Sequence, residues 1–223
     1  MKIPEITRYP KTEATLKVKL PQFTKYPKRQ DTLAPKIPQE RRYPKIELTW
    51  FDNIKAVKKR PAEMTWATLT ALTYRPPVRD NKQDLPWIKL ARFGDERSPK
   101  GCYRTDKNVL ALTGVELDYD NAQLPFFEAV SRLSGTIRCV AYTTPSHTRE
   151  KPCYRILAPF SHPKEGDTQK LKLLRREMID KIAALSGQPA RESYVLSQAY
   201  YFGAVKGREY HHAIINGGWV DNF

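Results

Sequence analysis

Several features that define other protein classes are missing from this chain of 223 residues. There is no run of about 18 apolar residues, the length that a transmembrane helix needs. The start, Met1–Glu5, lacks the apolar stretch of a secretory signal peptide, so we expect a cytoplasmic location. The three cysteines are odd in number and lack Cys-x-x-Cys spacing, which argues against a disulfide framework or a zinc knuckle. Cys139 and Cys153 lie in apolar, strand-like runs and are predicted to be reduced core residues.

Acidic residues are scarce relative to basic ones. The chain has 24 Asp and Glu against 39 Lys and Arg, which gives a formal net charge of +15. Such an excess favours polyanionic partners, above all nucleic acid, although attachment to a ribosome or a membrane surface would use the same charge. The length suits one mixed domain with appendages, or two small domains.

Residues 1–48 are predicted to form an arm, because they repeat with a period of 17 residues. The repeated units are Ile6–Lys11, Phe23–Lys28 and Tyr43–Lys45. Seven prolines in this segment disfavour long helices and favour an extended, polyproline-like chain. Each unit places Tyr9, Tyr26 or Tyr43 beside Lys or Arg, a combination that binds single-stranded nucleic acid through stacking and phosphate contacts. The alternative is an arm that packs its apolar residues on the domain or on a neighbouring subunit.

Residues 49–223 are predicted to form an α+β domain with a ferredoxin-like, or RRM-like, core of order β-α-β-β-α-β. The predicted core elements are a strand at Val109–Leu117, a helix at Leu124–Ser134, strands at Thr136–Thr143 and Cys153–Pro159, a helix capped by Asp167 and Gly187, and a strand at Tyr200–Val205. In the first helix, Phe127, Val130 and Leu133 are expected to face the core. An additional N-terminal α/β module contains a helix after Thr65 and a short strand at Trp87–Leu90, and Ala213–Ile215 is a further candidate strand.

Two carboxylates end the first core strand. Because alternate side chains of a strand share a face, Asp118 and Asp120 should project together. Like charges held this close repel unless a cation or a proton intervenes, and carboxylate oxygens suit Mg²⁺ or Mn²⁺. The competing interpretation is a pair of solvated acids at the start of a turn.

Polar and basic residues near the acid pair extend the candidate site. Ser146, His147 and Thr148 lie in the loop after the second core strand, and Arg155 lies on the third. The first and third strands of this unit are expected to be neighbours, which would bring Arg155 to the acids. A lone loop histidine is usually a surface residue, but flanking hydroxyls make His147 a candidate phosphate ligand. Basic residues before the acidic strand, among them Arg104 and Lys107, are candidates for holding a triphosphate or a template backbone, or else belong to a solvated loop.

Together these motifs resemble the archaeo-eukaryotic primase superfamily, in particular the primase-polymerase domains of prophage and plasmid replication proteins. The motifs are Asp118–Asp120, Thr144–His147, Cys153–Leu157 and Ser193–Phe202, and the resemblance covers roughly residues 50–210. The resemblance implies template-dependent nucleotidyl transfer in replication of a mobile element, with single-stranded DNA and nucleoside triphosphates as partners and in some cases a replicative helicase. It implies that Asp118 and Asp120 bind two ions of Mg²⁺ or Mn²⁺. By the same resemblance, the nucleotide-binding residues are Ser146, His147, Thr148, Arg155, Ser197 and Gln198, and Arg104 and Lys107 contact nucleic acid.

The third metal-binding acid of the family is not present at the corresponding position. The pattern puts it at Ala190, whose methyl side chain cannot bind a metal. Glu192, two residues later, is the weaker substitute, because an offset of two restores the facing but not the reach. The sequence therefore predicts a chain that binds nucleotide and metal but polymerises poorly.

Three other functions are compatible with parts of the sequence. A non-catalytic single-strand-binding protein could use Tyr200, Tyr201 and Phe202 for stacking on an RRM-like core. A rolling-circle initiator normally needs His-apolar-His on a strand, whereas His211 and His212 are adjacent and would face opposite ways. A former enzyme that is kept as a structural subunit would also explain Ala190.

Overall fold

The computed structural model describes residues 44–223. The predicted stacking residues Tyr9, Tyr26 and Tyr43 lie outside this range, so the arm and its boundary at residue 48 stay predictions.

Residues 44–223 contain eleven strands and three α-helices. In chain order the elements are β1 (Ile46–Phe51), β2 (Lys59–Met64), α1 (Trp66–Tyr74), β3 (Val78–Arg79), β4 (Trp87–Lys89), β5 (Ala91–Phe93), β6 (Val109–Asp120), α2 (Phe126–Leu133), β7 (Cys139–Thr143), β8 (Cys153–Glu165), α3 (Thr168–Ser186), β9 (Tyr200–Tyr201), β10 (Ala204–Val205) and β11 (His212–Ile215). Four short 3₁₀ turns lie at Lys82–Asp84, Asp106–Asn108, Arg191–Tyr194 and Val220–Asn222. The mixed composition confirms the predicted α+β class. None of the helices in this range is long and apolar enough to cross a membrane.

The strands form two larger sheets and one small pair. The main sheet has the order β11-β7-β8-β6-β5, and each pairing in it is antiparallel. A second sheet has the order β2-β1-β4-β9, and β3 pairs with β10. The chain passes from the second sheet to the main sheet at Leu90, between β4 and β5.

The two faces of the main sheet are covered by different layers. Leu117, Tyr119 and Ile156 pack with buried residues of α2 and α3 on one face. Val140, Tyr142 and Leu157 pack with residues of β1 and α1 on the other face. Because side chains alternate along a strand, this division directs Asp118 and Asp120 away from α2 and α3.

The long helix α3 begins and ends where the sequence predicts. The carboxylate of Asp167 accepts a hydrogen bond from the backbone N–H of Lys170 at 2.8 Å, which satisfies one of the free N–H groups at the helix start. Gly187 ends the helix with φ of +85°, a conformation that glycine adopts without strain. Cys139 and Cys153 are buried free thiols, as expected.

Helix α2 corrects the predicted orientation of Phe127. The buried residues are Phe126, Ala129 and Leu133, while 63% of the Phe127 surface is exposed. Pro125 precedes the helix as its N-cap, so the helix begins two residues later than predicted. Leu133 is buried and Val130 packs against the core as predicted, so the prediction is wrong for Phe127 alone.

The closing strand of the predicted ferredoxin-like unit is the second correction. The elements β6, α2, β7, β8 and α3 follow the expected order, and β7, β8 and β6 are neighbours as expected. The predicted strand Tyr200–Val205 is instead divided at Gly203, and its halves β9 and β10 pair with β4 and β3. The predicted closing strand cannot pair with the edge of β6, because β5 already pairs with the start of β6 and the backbone at Ala190 bonds to Asp118 near its end.

Candidate active site

Asp118 and Asp120 lie at the C-terminal end of β6 on the same face. In the register with β8, Asp118 is opposite Arg155 and Asp120 is opposite Cys153. The side chain of Asp118 is 18% exposed and that of Asp120 is 64% exposed. The predicted adjacency of the acids and Arg155 is therefore present in the structure.

Arg155 holds Asp118 in place. Its Nε donates a hydrogen bond to Oδ1 of Asp118 at 2.6 Å, and its Nη1 donates to the carbonyl oxygen of Tyr201 at 2.7 Å. The guanidinium also lies 3.9 Å from the centre of the Tyr201 ring. Burial acts to lower the pKa of Arg155, but the Asp118 carboxylate outweighs burial and raises it. Arg155 is thus a permanent cation that orients one acid, and its predicted contact with nucleotide stays a prediction.

Asp120 is the more accessible acid. The thiol of Cys153 donates a hydrogen bond to its Oδ1 at 3.1 Å, and Nζ of Lys151 lies 3.7 Å from the same oxygen. This thiol bond, with help from Lys151 and Lys82, lowers the pKa of Asp120. The carboxylate is therefore ionised at neutral pH and open to a cation from solvent.

The loop after β7 reaches the same end of the sheet. Nδ1 of His147 accepts a hydrogen bond from the backbone N–H of Cys153 at 3.0 Å, so the proton of a neutral ring is on Nε2. Burial and the neighbouring His211 lower the pKa of His147, which keeps the ring neutral at pH 7. Ser146 and Thr148 are exposed on either side of it. The hydroxyl of Thr148 closes the loop, because it accepts a hydrogen bond from the backbone N–H of Lys151 at 3.0 Å.

A cavity of about 460 Å³ opens beside this loop. Its walls carry three basic side chains and one acid among the residues Asp80, Asn81, Lys82, Pro145, Ser146, Val205, Lys206 and Arg208. Nζ of Lys82 lies 4.5 Å from the centre of the Tyr201 ring, which the guanidinium of Arg155 also contacts. The sequence predictions missed Lys82, Lys206 and Arg208, because only the pairing of β3 with β10 brings their two segments together.

Ala190 lies beside Asp118. Its backbone N–H donates to the carbonyl oxygen of Asp118 at 2.8 Å, and the backbone N–H of Asp118 donates to the hydroxyl of Ser193 at 2.9 Å. Glu192 is exposed in the turn between these two contacts. Within residues 44–223, no group of three or more His, Cys, Asp or Glu residues is arranged to hold a metal ion. The described residues therefore do not complete the two-ion site that the resemblance implies, and metal binding by Asp118 and Asp120 stays a prediction.

Other residues predicted for the site are held in structural contacts. The guanidinium of Arg104 donates to the carbonyl oxygens of Ala199 at 3.3 Å and Ile54 at 3.1 Å, and burial lowers its pKa. The backbone N–H of Ser197 donates to the carboxylate of Asp106 at 3.0 Å. Gln198 is half-buried and Lys107 is exposed. Roles for these four residues in binding nucleotide or nucleic acid stay predictions.

The adjacent histidines His211, just before β11, and His212, its first residue, face opposite ways. The ring of His211 lies 5.3 Å from that of Phe127 on α2, and the ring of His212 lies 5.1 Å from that of Tyr74 on α1. They cannot share the single metal that the rolling-circle chemistry requires.

A buried ionic cluster behind the acid pair was also missed. Oε2 of Glu116 lies 2.7 Å from Nζ of Lys89 and 2.9 Å from Nη1 of Arg175, and all three side chains are fully buried. Burial raises the pKa of Glu116, but Lys89 and Arg175 overcome this effect and lower it. Burial, and then Arg175, lower the pKa of Lys89 to about 7. Nε of Arg175 also donates to the carbonyl oxygen of Ser193 at 2.8 Å, which ties the cluster to the turn beside Asp118. The sequence signal was the shared strand face of Glu116, Asp118 and Asp120.

Comparison with known proteins gives one weak likeness. No family model matches the chain, and no match was found among curated proteins. A similar solved structure is the primase-polymerase (AEP) domain of cyanophage S-2L, with a TM-score of 0.41 and 11% sequence identity. The alignment covers 78% of this chain and 83% of that domain. A likeness at this level does not establish family membership, so a function must be argued from the site itself.

Proposed function

We propose that this chain is a template-dependent nucleotidyltransferase of the primase-polymerase type, which acts on single-stranded DNA and nucleoside triphosphates. The observation that carries the proposal is the juxtaposition of ionised Asp120 and oriented Asp118 with the Ser146–His147 loop, beside a basic cavity. The motif resemblance extends the proposal to the replication of a mobile element.

The basic cavity is the proposed site for the nucleotide phosphates. Its volume of about 460 Å³ falls within the range of small-ligand pockets. Lys82, Lys206 and Arg208 supply positive charge, and Ser146 supplies a hydroxyl donor. Neutral His147 adds an Nε2–H donor at the neighbouring loop position. In this proposal the cations of the cavity bind the phosphates, and the buried Arg155 orients Asp118.

The acid pair is the proposed catalytic centre. A divalent cation held by Asp118 and Asp120 would neutralise phosphate charge and favour loss of the proton from the attacking hydroxyl. Asp118 needs no rearrangement for this role, because Arg155 and the Ser193 hydroxyl already fix its side chain and backbone. To bind the cation, Asp120 would give up its contact with Lys151. That contact is a surface ion pair at 3.7 Å, and such a pair contributes little stability. The methyl group of Ala190 contributes no ligand, so the turnover of the chain should be slow.

Incorporation of a labelled deoxynucleotide on a primed template, in the presence of Mn²⁺, tests this function. The chain should incorporate slowly, and the double substitution Asp118→Asn with Asp120→Asn should abolish incorporation. Thermal melting of the double variant verifies that it still folds. Residual incorporation that survives both substitutions would refute the assigned centre.

A non-catalytic single-strand-binding protein is the second candidate. It is favoured by the methyl side chain at position 190 and by the ion pair that occupies Asp118. Tight binding of single-stranded DNA without metal-dependent incorporation, in either the natural chain or the Ala190→Asp variant, would select this candidate over the enzyme.

A further inference from the structure

Phe127 is an exposed aromatic side chain without an obvious structural role. It lies in the first turn of α2 with 63% of its surface exposed, whereas its neighbour Phe126 is buried. The ring of His211 lies 5.3 Å from that of Phe127, and it stacks at 26° on Phe126 with 6.4 Å between centres. The rings of Phe127 and His211 meet edge to face at 62°, with Phe126 behind them and Glu209 bound to Nε2 of His211 at 2.8 Å; we call Phe127 and His211 the aromatic shelf.

The shelf adjoins the proposed active site. The ring of His211 lies 6.1 Å from that of His147, which is bonded to Cys153, and the thiol of Cys153 is bonded to Asp120. The shelf lies against α2 and His147, whereas the basic cavity is lined by Pro145 and Ser146 of the loop between β7 and β8 and by residues at and after β3 and β10. The same loop carries the exposed cations Arg149 and Lys151.

We propose that the aromatic shelf stacks a nucleobase of a single-stranded nucleic acid that crosses this end of the main sheet. An exposed aromatic ring, here Phe127, with exposed cations on an adjoining loop is a combination that binds single strands without sequence preference. A strand is favoured over a free nucleotide, because neither Phe127 nor His211 lines the cavity that is proposed to hold the nucleotide phosphates. The inference rests on the single-strand part of the proposed function.

The shelf can be tested by fluorescence anisotropy with the full chain in metal-free buffer. The probes are a labelled oligothymidylate and an oligonucleotide of the same length that carries abasic sites. Because stacking contributes about 1–3 kcal/mol per base, Phe127→Ala should weaken oligothymidylate binding roughly five-fold or more. Binding of the abasic probe, and the dependence of both affinities on salt, should be unchanged, because the phosphate contacts remain. Phe127→Trp should bind oligothymidylate as the natural chain does.

Leu173→Ala is the matched control, because Leu173 is a similarly exposed apolar residue, at 59%, on α3. It should leave both affinities unchanged. Equal weakening of both probes by Phe127→Ala, or no weakening, would overturn the proposal. So would a change in oligomeric state on size-exclusion chromatography with DNA affinity intact, since a second protein surface would then cover the shelf. If the natural chain does not incorporate nucleotide but Phe127→Ala still weakens only oligothymidylate binding, the proposed enzymatic function is refuted and the proposed stacking site is retained.

Discussion

Two acidic regions on one face of β6 behave in opposite ways. Glu116 is fully buried between Lys89 and Arg175, whereas Asp118 is partly exposed and Asp120, at the strand end, is 64% exposed. The difference follows from what covers the strand. Lys89 of β4 lies against Glu116, and Tyr201 of β9 bonds to Arg155, which is opposite Asp118. Asp120 lies at the end of the strand, beyond both contacts. A carboxylate on this face is therefore structural at Glu116 and available for chemistry four residues later, at Asp120.

The largest expected effect tests the structural half of this comparison. Glu116→Gln would leave Arg175 as a buried cation without its counter-charge and Lys89 without its carboxylate hydrogen-bond partner, which should lower the free energy of unfolding by about 3–5 kcal/mol. Asp120→Asn, on the same face, should change it by less than about 1 kcal/mol, because an exposed ion pair contributes little. Urea unfolding of both variants measures the difference. Equal losses would show that burial does not distinguish the two acids.

The next effect tests the chemical half. Ala190→Asp places a third carboxylate beside Asp118, where the backbone N–H of residue 190 already bonds to the Asp118 carbonyl. We expect nucleotide incorporation to rise about ten-fold or more, because one further preorganised charge in a catalytic site is typically worth that factor. Ala190→Asn is the control, since an uncharged amide of similar size should give a much smaller gain. Incorporation by Ala190→Asp that is no faster than that of the natural chain would contradict this interpretation of position 190.

A smaller effect distinguishes the basic cavity from another surface cavity. Lys206→Ala removes one cation from the cavity beside Ser146 and should raise the nucleotide concentration needed for half-maximal binding several-fold, as loss of one charged hydrogen bond does. His147→Ala should act in the same direction. Lys170→Ala is the control, because Lys170 lines the larger cavity of about 570 Å³ between α3 and the end of β8. Fluorescent-nucleotide titration measures all three, and an equal loss in the control would reject the assigned cavity.

The parts of the site that depend on strand periodicity could be predicted from the sequence. Alternation placed Asp118 and Asp120 on one face, and the order of elements placed β8 beside β6, which brought Arg155 to Asp118. The facing of Phe127 could not be predicted, because two adjacent phenylalanines compete for one inner position and packing against Tyr154 of β8 selects Phe126. The predicted pairing of the closing strand was wrong, because β5 and the segment at Ala190 occupy the edge of β6. Such competition for a sheet edge depends on tertiary contacts that no local pattern shows. The cations of the basic cavity come from two distant segments, so no local pattern marks them.

The smallest effect concerns pH and returns to the buried cluster. The pKa of Lys89 is lowered to about 7 in the folded chain, below its ordinary value of 10.5, so between these values the unfolded chain binds more protons. Stability contributed by this group therefore rises with pH above about 7 and is lost as pH falls through that value. From pH 7 to 8 the gain should be at most about 1 kcal/mol. Lys89→Met should remove this dependence, because a methionine side chain has no proton to bind or release. Urea unfolding of both proteins at pH 7 and pH 8 measures the gain, and an identical pH dependence in the variant would assign it to other groups.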